Sequence, residues 1–516
     1  MIHYTRHAVF LGILALAAVA RAQTPPAAAT PGGASPTPAP GTDPSAAPAV
    51  PPEVQPVPAA PVSPPADAAR LDEIEQLARI AARKHELLEE QAEKRAKEAP
   101  RLSIDDKGFA LALPDKSFVL RIRALVQADG RFFANSDTLQ ANDTFLIRKF
   151  RPALEGTLFS IADFRFVTEF AGTPQILDAY VDLHPREWLR LRVGKMKAPV
   201  GLERLQSDAD LPMLERALDQ NLSSQRDVGA QLWGDVAGGI VQYTIGIFNG
   251  AGDTTGADTD LNHAKDIQGR LFFQPFKATE GLSELGNLGV GIAVGTGNRK
   301  GRLPTAVNGL PIPSVAAQTG LSPFRTSGQN TFFQYLAPAT DTTGAATVFA
   351  HERATRINPQ LYYYRGPLGL LAEYLWLKQG VQKGTSIAEL TQQAAHATVS
   401  FSIGGAEGYD GSTPEHVFDP AKGHWGALQL AARVGWLGID DDTFPTFANP
   451  VTSARSAKAF AGGVAWVPRR SVHLAFNFEE TVFEGGAGTA AMGMNPAVIA
   501  NRPTEYLLLG RVQVNF

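Results

Sequence analysis

The chain has 516 residues, of which 44% are hydrophobic and 19% charged, with 49 glycines, no cysteine and a formal net charge of −4. The absence of cysteine excludes a disulfide framework and a thiolate metal site. Beyond an N-terminal apolar run, no stretch reaches the roughly 20 apolar residues that a spanning helix needs; this excludes a helical membrane protein and leaves a large soluble β-protein or a transmembrane β-barrel.

In chain order, Arg6 and His7 precede the apolar run AVFLGILALAAVA, which leads into Ala20-x-Ala22. A core of this length followed by a small-residue cleavage pattern predicts a signal peptide over 1–22, cleaved after Ala22, and export. Residues 23–66 are dominated by Pro, Ala, Ser, Thr and Gly with few charges; they cannot bury a core and are expected to form an extended, disordered linker. Residues 67–100 read as a helix, with Asp67 as N-cap and Pro100 as terminator, and Leu71, Ile74, Ala78, Ala81, His85 and Leu88 recur at 3,4 spacing. A short coiled coil and a solvated single helix both fit this pattern, and His85 alone is no evidence of a metal.

From residue 101 onward the period changes to two. In SFVLRIRALVQADGRFF, Leu120, Ile122, Ala124, Val126, Ala128 and Phe132 share one face, opposite Arg121, Arg123, Gln127, Asp129 and Arg131. DFRFVTEF and GGIVQYTIGIF repeat the alternation, and roughly sixteen such segments lie between 117 and 516. Short turns such as Pro185-Arg186 alternate with long Gly-, Pro- and Thr-rich connections such as 298–352, the asymmetry expected of a membrane barrel with unlike ends. Phe132, Phe133, Phe159, Tyr363, Tyr364, Trp376 and Trp436, near strand ends, suit interfacial girdles. The last strand, EYLLLGRVQVNF, carries Tyr506, Leu508, Gly510, Val512, Val514 and Phe516 on one face and stops on Phe516, as expected of a strand sealed into a barrel and marked for outer-membrane assembly. The fold predicted is all-β: a transmembrane antiparallel barrel of about 16 strands over 101–516, preceded by a short helical segment.

If the apolar faces look into lipid, then Arg121, Arg123, Arg131, Lys149, Arg151, Arg165, Arg190, Arg192 and Arg270 project into the lumen or its rims, because Arg or Lys on the lipid side at mid-depth costs about 2–4 kcal/mol. Such a strip can hold partly dehydrated anions through bidentate contacts and pass them along. The alternative is that these cations pair with Asp129, Glu155, Glu169, Asp178 and Asp182 to brace the wall, and about half are expected to do so.

The runs FLIRKFRPALEGTLF, ILDAYVDLHPREWLRLRVGKMKAPVGLERL, RDVGAQLWGD and IVQYTIGIFNGAGD, with the final strand, resemble the phosphate-selective porin family of Gram-negative outer membranes in order and spacing. The resemblance implies a sixteen-stranded homotrimeric barrel in which phosphate or similar small anions follow an arginine ladder to a basic constriction on an inward-folded loop. Arg148 and Lys149, with Arg151 following, match the paired basic residues of the family's second strand. Alternation places Lys149 and Arg151 inward and leaves Arg148 unassigned. Residues 195–222 match the constriction loop after the Gly-Leu-Glu motif; where the family has lysines, this chain has Arg204 followed by Asp208 and Asp210. That exchange implies a weaker phosphate site.

No cofactor, metal or enzymatic activity is expected. The ten histidines are scattered, no GxSxG or HExxH occurs, and the GxGxxG-like spacing in GVGIAVGTGNRKG lies among strands with no helix after it. The expected partners are outer-membrane lipid, small anions, further copies of the chain and, through the N-terminal helix, peptidoglycan; no nucleic acid is expected. The competing reading is a structural barrel tethered to the cell wall, with little or non-selective conductance. A secreted soluble β-protein fits the outward apolar faces poorly.

Overall fold

The computed structural model describes residues 66–105, 108–135, 141–251, 260, 262–279, 281–302, 316–338, 341, 343–487 and 499–516. The predicted signal peptide, the predicted linker up to residue 65 and the side chain of Asp67 lie outside the described residues. The chain divides into two units, residues 1–82 and 83–516.

Helix α1 (Ala66–Glu98) stops two residues before Pro100, whose ring disfavours helical backbone in the residue before it. It is stitched by Arg79–Glu75 at 2.6 Å, Arg83–Glu86 at 2.6 Å and Lys97–Glu93 at 3.5 Å, pairs one turn apart on its surface. Leu71, Ile74, Leu77, Ile80, Leu87 and Leu88 are exposed.

A hairpin of β1 (Arg101–Asp105) and β2 (Gly108–Ala112) opens the sheet. Nine long strands follow: β3 (Val119–Phe133), β4 (Thr144–Leu158), β5 (Ala162–Glu169), β6 (Gln175–Arg186), β7 (Leu189–Lys197), β8 (Arg226–Val236), β9 (Val241–Phe248), β10 (Asp266–Phe273) and β11 (Leu288–Asn298). After the small hairpin β12 (Phe324–Arg325) and β13 (Thr331–Phe333) come β14 (Val348–Arg365), β15 (Leu368–Lys383) and β16 (Ser386–Ile403). A second small hairpin, β17 (Gly405–Ala406) and β18 (Thr413–Pro414), precedes β19 (Ala427–Gly438), β20 (Ala454–Arg469), β21 (Val472–Gly485) and β22 (Glu505–Asn515). Each long strand pairs antiparallel with the next, and β22 returns to β3, from Leu507 opposite Phe133 to Asn515 opposite Leu125. The sixteen long strands thus close into a barrel and leave no free edge among themselves, as lipid requires, with the β1–β2 hairpin attached to β3.

The seam shows where Phe516 goes. Its N–H donates to the Ala124 carbonyl at 3.0 Å and its carbonyl accepts from Ala124 N–H at 2.8 Å. Its ring meets Phe109 of β2 edge-on at 6.0 Å. β2 occupies β3 from Val119 to Ile122, so the hairpin continues the line of β22 below its end.

Burial is inverted relative to a soluble sheet. Ile122, Ile147, Phe166, Ile245, Ile267, Leu508 and Val512 are exposed, whereas Gln127, Asp129, Arg131, Asp182, Arg511 and Gln513 are buried in the lumen. The period-two reading of β3 and β22 therefore holds residue by residue. Among the girdle aromatics, Phe132 and Phe159 are exposed, but Phe133 and Tyr364 are buried and face inward because each adjoins an outward residue. The turn read at Pro185-Arg186 lies two residues later: a register shift between Leu183 and Arg186 carries β6 on to pair Arg186 with Leu189.

At the end bearing the turns 159–161, 187–188, 366–367 and 470–471, the longer connections are residues 274–287 and 404–426. The opposite end carries 198–225, 249–265, 299–347 and 486–504, the pattern of a porin whose longer loops face outward.

Candidate functional site

Residues 198–225 leave β7, cross the lumen and return to β8. Gly201 makes the entry possible: its φ is 101°, and a Cβ there would stand 2.8 Å from the Arg204 Cβ and 2.9 Å from Ser223 Oγ. Glu373 of β15 receives the first turn, accepting from Leu202 N–H at 2.6 Å and Glu203 N–H at 3.0 Å, and it also accepts from Gln220 at 2.7 Å and Asn358 at 3.0 Å. Farther along, Arg433 donates to the Glu215 carbonyl at 2.7 Å, Arg511 to the Leu214 carbonyl at 2.6 Å and Gln513 to the Ala209 carbonyl at 2.8 Å. The loop is thus fastened by backbone acceptors to strands across the barrel, as expected for irregular backbone kept away from lipid. On its far side Val200, Leu218 and Leu222 pack with Phe324, Phe332 and Phe333 of the 299–347 connection in a buried apolar cluster.

Two carboxylates of the loop gather the basic strip. Asp208 contacts Lys149 at 3.0 Å, Arg216 at 2.9 Å and also Arg151. Glu215 takes Arg148 in a bidentate contact at 2.5 and 2.9 Å, with Arg131 at 3.3 Å and Arg511 at 3.4 Å. Arg148, unassigned by alternation, also turns inward. A β-bulge opposite Gln127 and Ala128 leaves it without a cross-strand partner and lets two consecutive basic residues face the lumen. Three cations at each buried loop carboxylate hold both Asp208 and Glu215 well below the usual carboxylate range, against the opposing effect of burial.

Among the ten cations read from the sequence, eight lie within ion-pair distance of a carboxylate, more than the half expected. Besides Arg131, Lys149 and Arg151, these are Arg121 and Arg123 at Glu155, Arg165 at Glu155 and Asp178, Arg190 at Asp163 and Asp182, and Arg192 at Asp182. Arg192 also lies over the Tyr180 ring at 4.5 Å and the Trp233 ring at 4.9 Å. Arg204 turns to its own loop, donating to Ser223 Oγ and the Gln220 carbonyl. Arg270 donates to Gln360 at 2.8 Å and lies over Phe272.

Between the loop and the short-turn end lies a cavity of ≈ 880 Å³. Arg123, Arg151, Arg165, Arg192 and Arg270 line it, whereas Arg121, Arg131, Lys149, Arg190 and Arg204 do not. Sequence reasoning missed Lys197, Arg226 and Arg470 among its cations, although Arg226 stands in the RDVGAQLWGD run. It also missed residues 404–426, which enter from the short-turn end: Tyr409 O–H donates to the Leu202 carbonyl at 2.7 Å and Gln206 donates to the Tyr409 carbonyl at 2.7 Å. Asp410, Thr413, Pro414 and Val417 of this segment line the cavity. No period or motif marks such a reach, since it depends on where the barrel wall places both ends.

Asp210 lies in the inward loop, outside the spanning strands, and burial pushes its carboxyl up to about 6, with Asp410 acting in the same direction and Arg470 opposing. Below that pH the group is neutral and the lining more positive; above it the charge returns. Anion selectivity is therefore expected to rise as pH falls from 7.5 to 5, and Asp210→Asn should hold the low-pH selectivity throughout. Reversal potentials in a salt gradient at both pH values check this; an unchanged pH dependence in the variant would refute it.

A closed antiparallel barrel with an apolar exterior, a polar lumen and an inward loop is the architecture of an outer-membrane porin. The model of the family described as phosphate-selective porin O and P matches residues 120–301 and 335–481, and the chain belongs to that family. No curated protein sequence matches. Similar solved structures include the outer-membrane channel DcaP of Acinetobacter baumannii, at 9% identity and TM-score 0.46, covering 78% of this chain and 98% of that one. They also include an anion-selective porin from Comamonas acidovorans, at 12% identity and TM-score 0.46, covering 77% and 100%. The trimer form of OmpT from Vibrio cholerae is similar at 9% identity and TM-score 0.45, covering 78% and 100%.

Proposed function

We propose that this porin gives passive, anion-selective diffusion of phosphate or similar small anions. The observation that carries the proposal is the charge of the cavity lining: Arg123, Arg151, Arg165, Arg192, Lys197, Arg226, Arg270 and Arg470, eight cations, against Asp178, Asp208, Asp210 and Asp410, four carboxylates. An excess of one sign in a confined, low-dielectric space concentrates the opposite ion. Guanidinium groups arranged around the space suit oxyanions, which accept paired N–H donors. The ten cations named from the sequence serve this pathway in two ways: those at the cavity meet the anion, and the rest hold the wall and loop.

The test is the zero-current potential of the purified protein in a planar bilayer under a KCl gradient, repeated with phosphate. A potential near the chloride limit with phosphate block is expected. Cation selectivity would show that the paired carboxylates dominate, and absence of conductance would favour the structural barrel.

The same proposal includes cleavage after Ala22, a spacer over 23–66, a homotrimer, and α1 as a segment that trimerises or contacts peptidoglycan. The exposed Leu71, Ile74, Leu77, Ile80 and Leu88 favour a partner for α1. Phe516, at the barrel seam, is assigned the role of assembly signal.

A further inference from the structure

We infer that the junction between the inward loop and the barrel wall is a binding site for a borderline first-row divalent cation such as Zn²⁺, held by Glu203, Asp219 and His396. Glu203 and Asp219 belong to the loop and His396 to β16, and one ligand atom from each lies within 4.8 Å of the others. Around a tetrahedral Zn²⁺ the ligand atoms stand about 3.3 Å apart, so the widest separation has to close by roughly 1.5 Å, within reach of side-chain rotation.

Three observations point to a cation here. The first is the state of His396. Its side chain is fully buried; Nε2 makes no hydrogen bond, and Nδ1 stands at ion-pair distance, 2.9 Å, from Asp219 Oδ1. A buried imidazole nitrogen and a buried carboxylate oxygen that face each other can share a metal cation in place of a proton.

The second is which oxygens are already used. Asp219 Oδ2 accepts from Gln220 at 3.0 Å and Glu203 Oε2 from the Ala217 N–H at 3.0 Å. Asp219 Oδ1 then faces His396, while Glu203 Oε1 lies 3.7 Å from Arg433, and the second-layer bonds orient both carboxylates.

The third is the charge count. Glu203, Asp219 and Glu373 bring three buried carboxylates, with Glu373 Oε1 4.0 Å from His396 Nδ1. The Arg433 guanidinium lies 3.7 Å from Glu203 Oε1 and is itself held at 2.9 Å by Glu479. Three carboxylates against one guanidinium shared with Glu479 leave an excess of buried negative charge, and a divalent ion offsets it with the correct donor set. The imidazole selects against Ca²⁺ and Mg²⁺, which take oxygen ligands, and in favour of Zn²⁺ and its neighbours.

Bound there, the ion would join residues 203 and 219 of the loop to residue 396 of the wall and hold the constriction at one geometry. Full-length protein, stripped with EDTA and dialysed against Zn²⁺, is expected to retain about one ion per chain by elemental analysis. Its heat-unfolding midpoint should rise with added Zn²⁺. His396→Gln should lose the ion and the shift, while the control His416→Ala keeps both. If wild type retains no more Zn²⁺ than His396→Gln and its midpoint ignores both EDTA and Zn²⁺, the site is instead a protonated histidine paired with Asp219 and the proposal fails. Should His396→Gln not fold, the EDTA and Zn²⁺ response of wild type decides alone.

Discussion

Replacing Glu215 with Ala is expected to lower barrel stability by about 3–5 kcal/mol, the cost of leaving buried charges without their partner. Glu215 is buried and gathers Arg131, Arg148 and Arg511 from β3, β4 and β22. Arg511 retains Asp129 at 2.7 and 2.8 Å and so is only partly released, whereas Arg131 and Arg148 lose their ion pair. The loop should loosen where Leu214 and Glu215 meet the wall, so single-channel recordings should show larger current fluctuations. Urea unfolding followed by the loss of the compact barrel on gels measures the first effect. Unchanged stability would mean the three guanidiniums find solvent or other acceptors, and that the loop is held mainly by its backbone bonds.

Asp208→Asn is expected to act on selectivity. Asp208 lines the cavity and holds Lys149, Arg151 and Arg216. Neutralising it changes the lining from eight cations against four carboxylates to eight against three. One unit charge acting through water at about 8 Å is worth roughly 0.5 kcal/mol, favourable to the anion and unfavourable to the cation. The chloride-to-potassium permeability ratio should therefore rise on the order of five-fold at low salt, and less at high salt because of screening. The reversal potential in a KCl gradient reads this directly. No shift, or a shift toward potassium, would place the ion pathway away from Asp208 and remove the support that the cavity lends to anion passage.

The exchange of lysine for Arg204, Asp208 and Asp210 in the constriction loop reads, in the sequence, as a weakened anion site. The structure gives these three residues different roles. Asp208 is saturated by cations, Arg204 is turned to its own loop, and Asp210 alone sits where burial keeps its charge marginal. A count of charges along the chain cannot separate these cases, because each depends on which wall residue the loop meets.

The faces of β3 and β22 were legible from the chain because the strand period is two: once Leu120 or Val512 is assigned to lipid, Arg121 and Arg511 must face inward. Local backbone exceptions were not legible. The bulge that turns Arg148 inward beside Lys149 and the shift that extends β6 through Arg186 each break the alternation by one or two residues, and nothing in residue type announces them.

The sequence by itself determined the barrel, the direction of its faces and the basic character of its wall, because these follow from short-range alternation and from the cost of charge in lipid. Only the tertiary structure decided which cations reach the cavity, that residues 404–426 meet the inward loop at Leu202 and Gln206, and that Glu203, Asp219 and His396 stand together. Those contacts join residues far apart in the chain. Their partners are chosen by the closure of the barrel and the path of a loop across it, and no local pattern carries that choice.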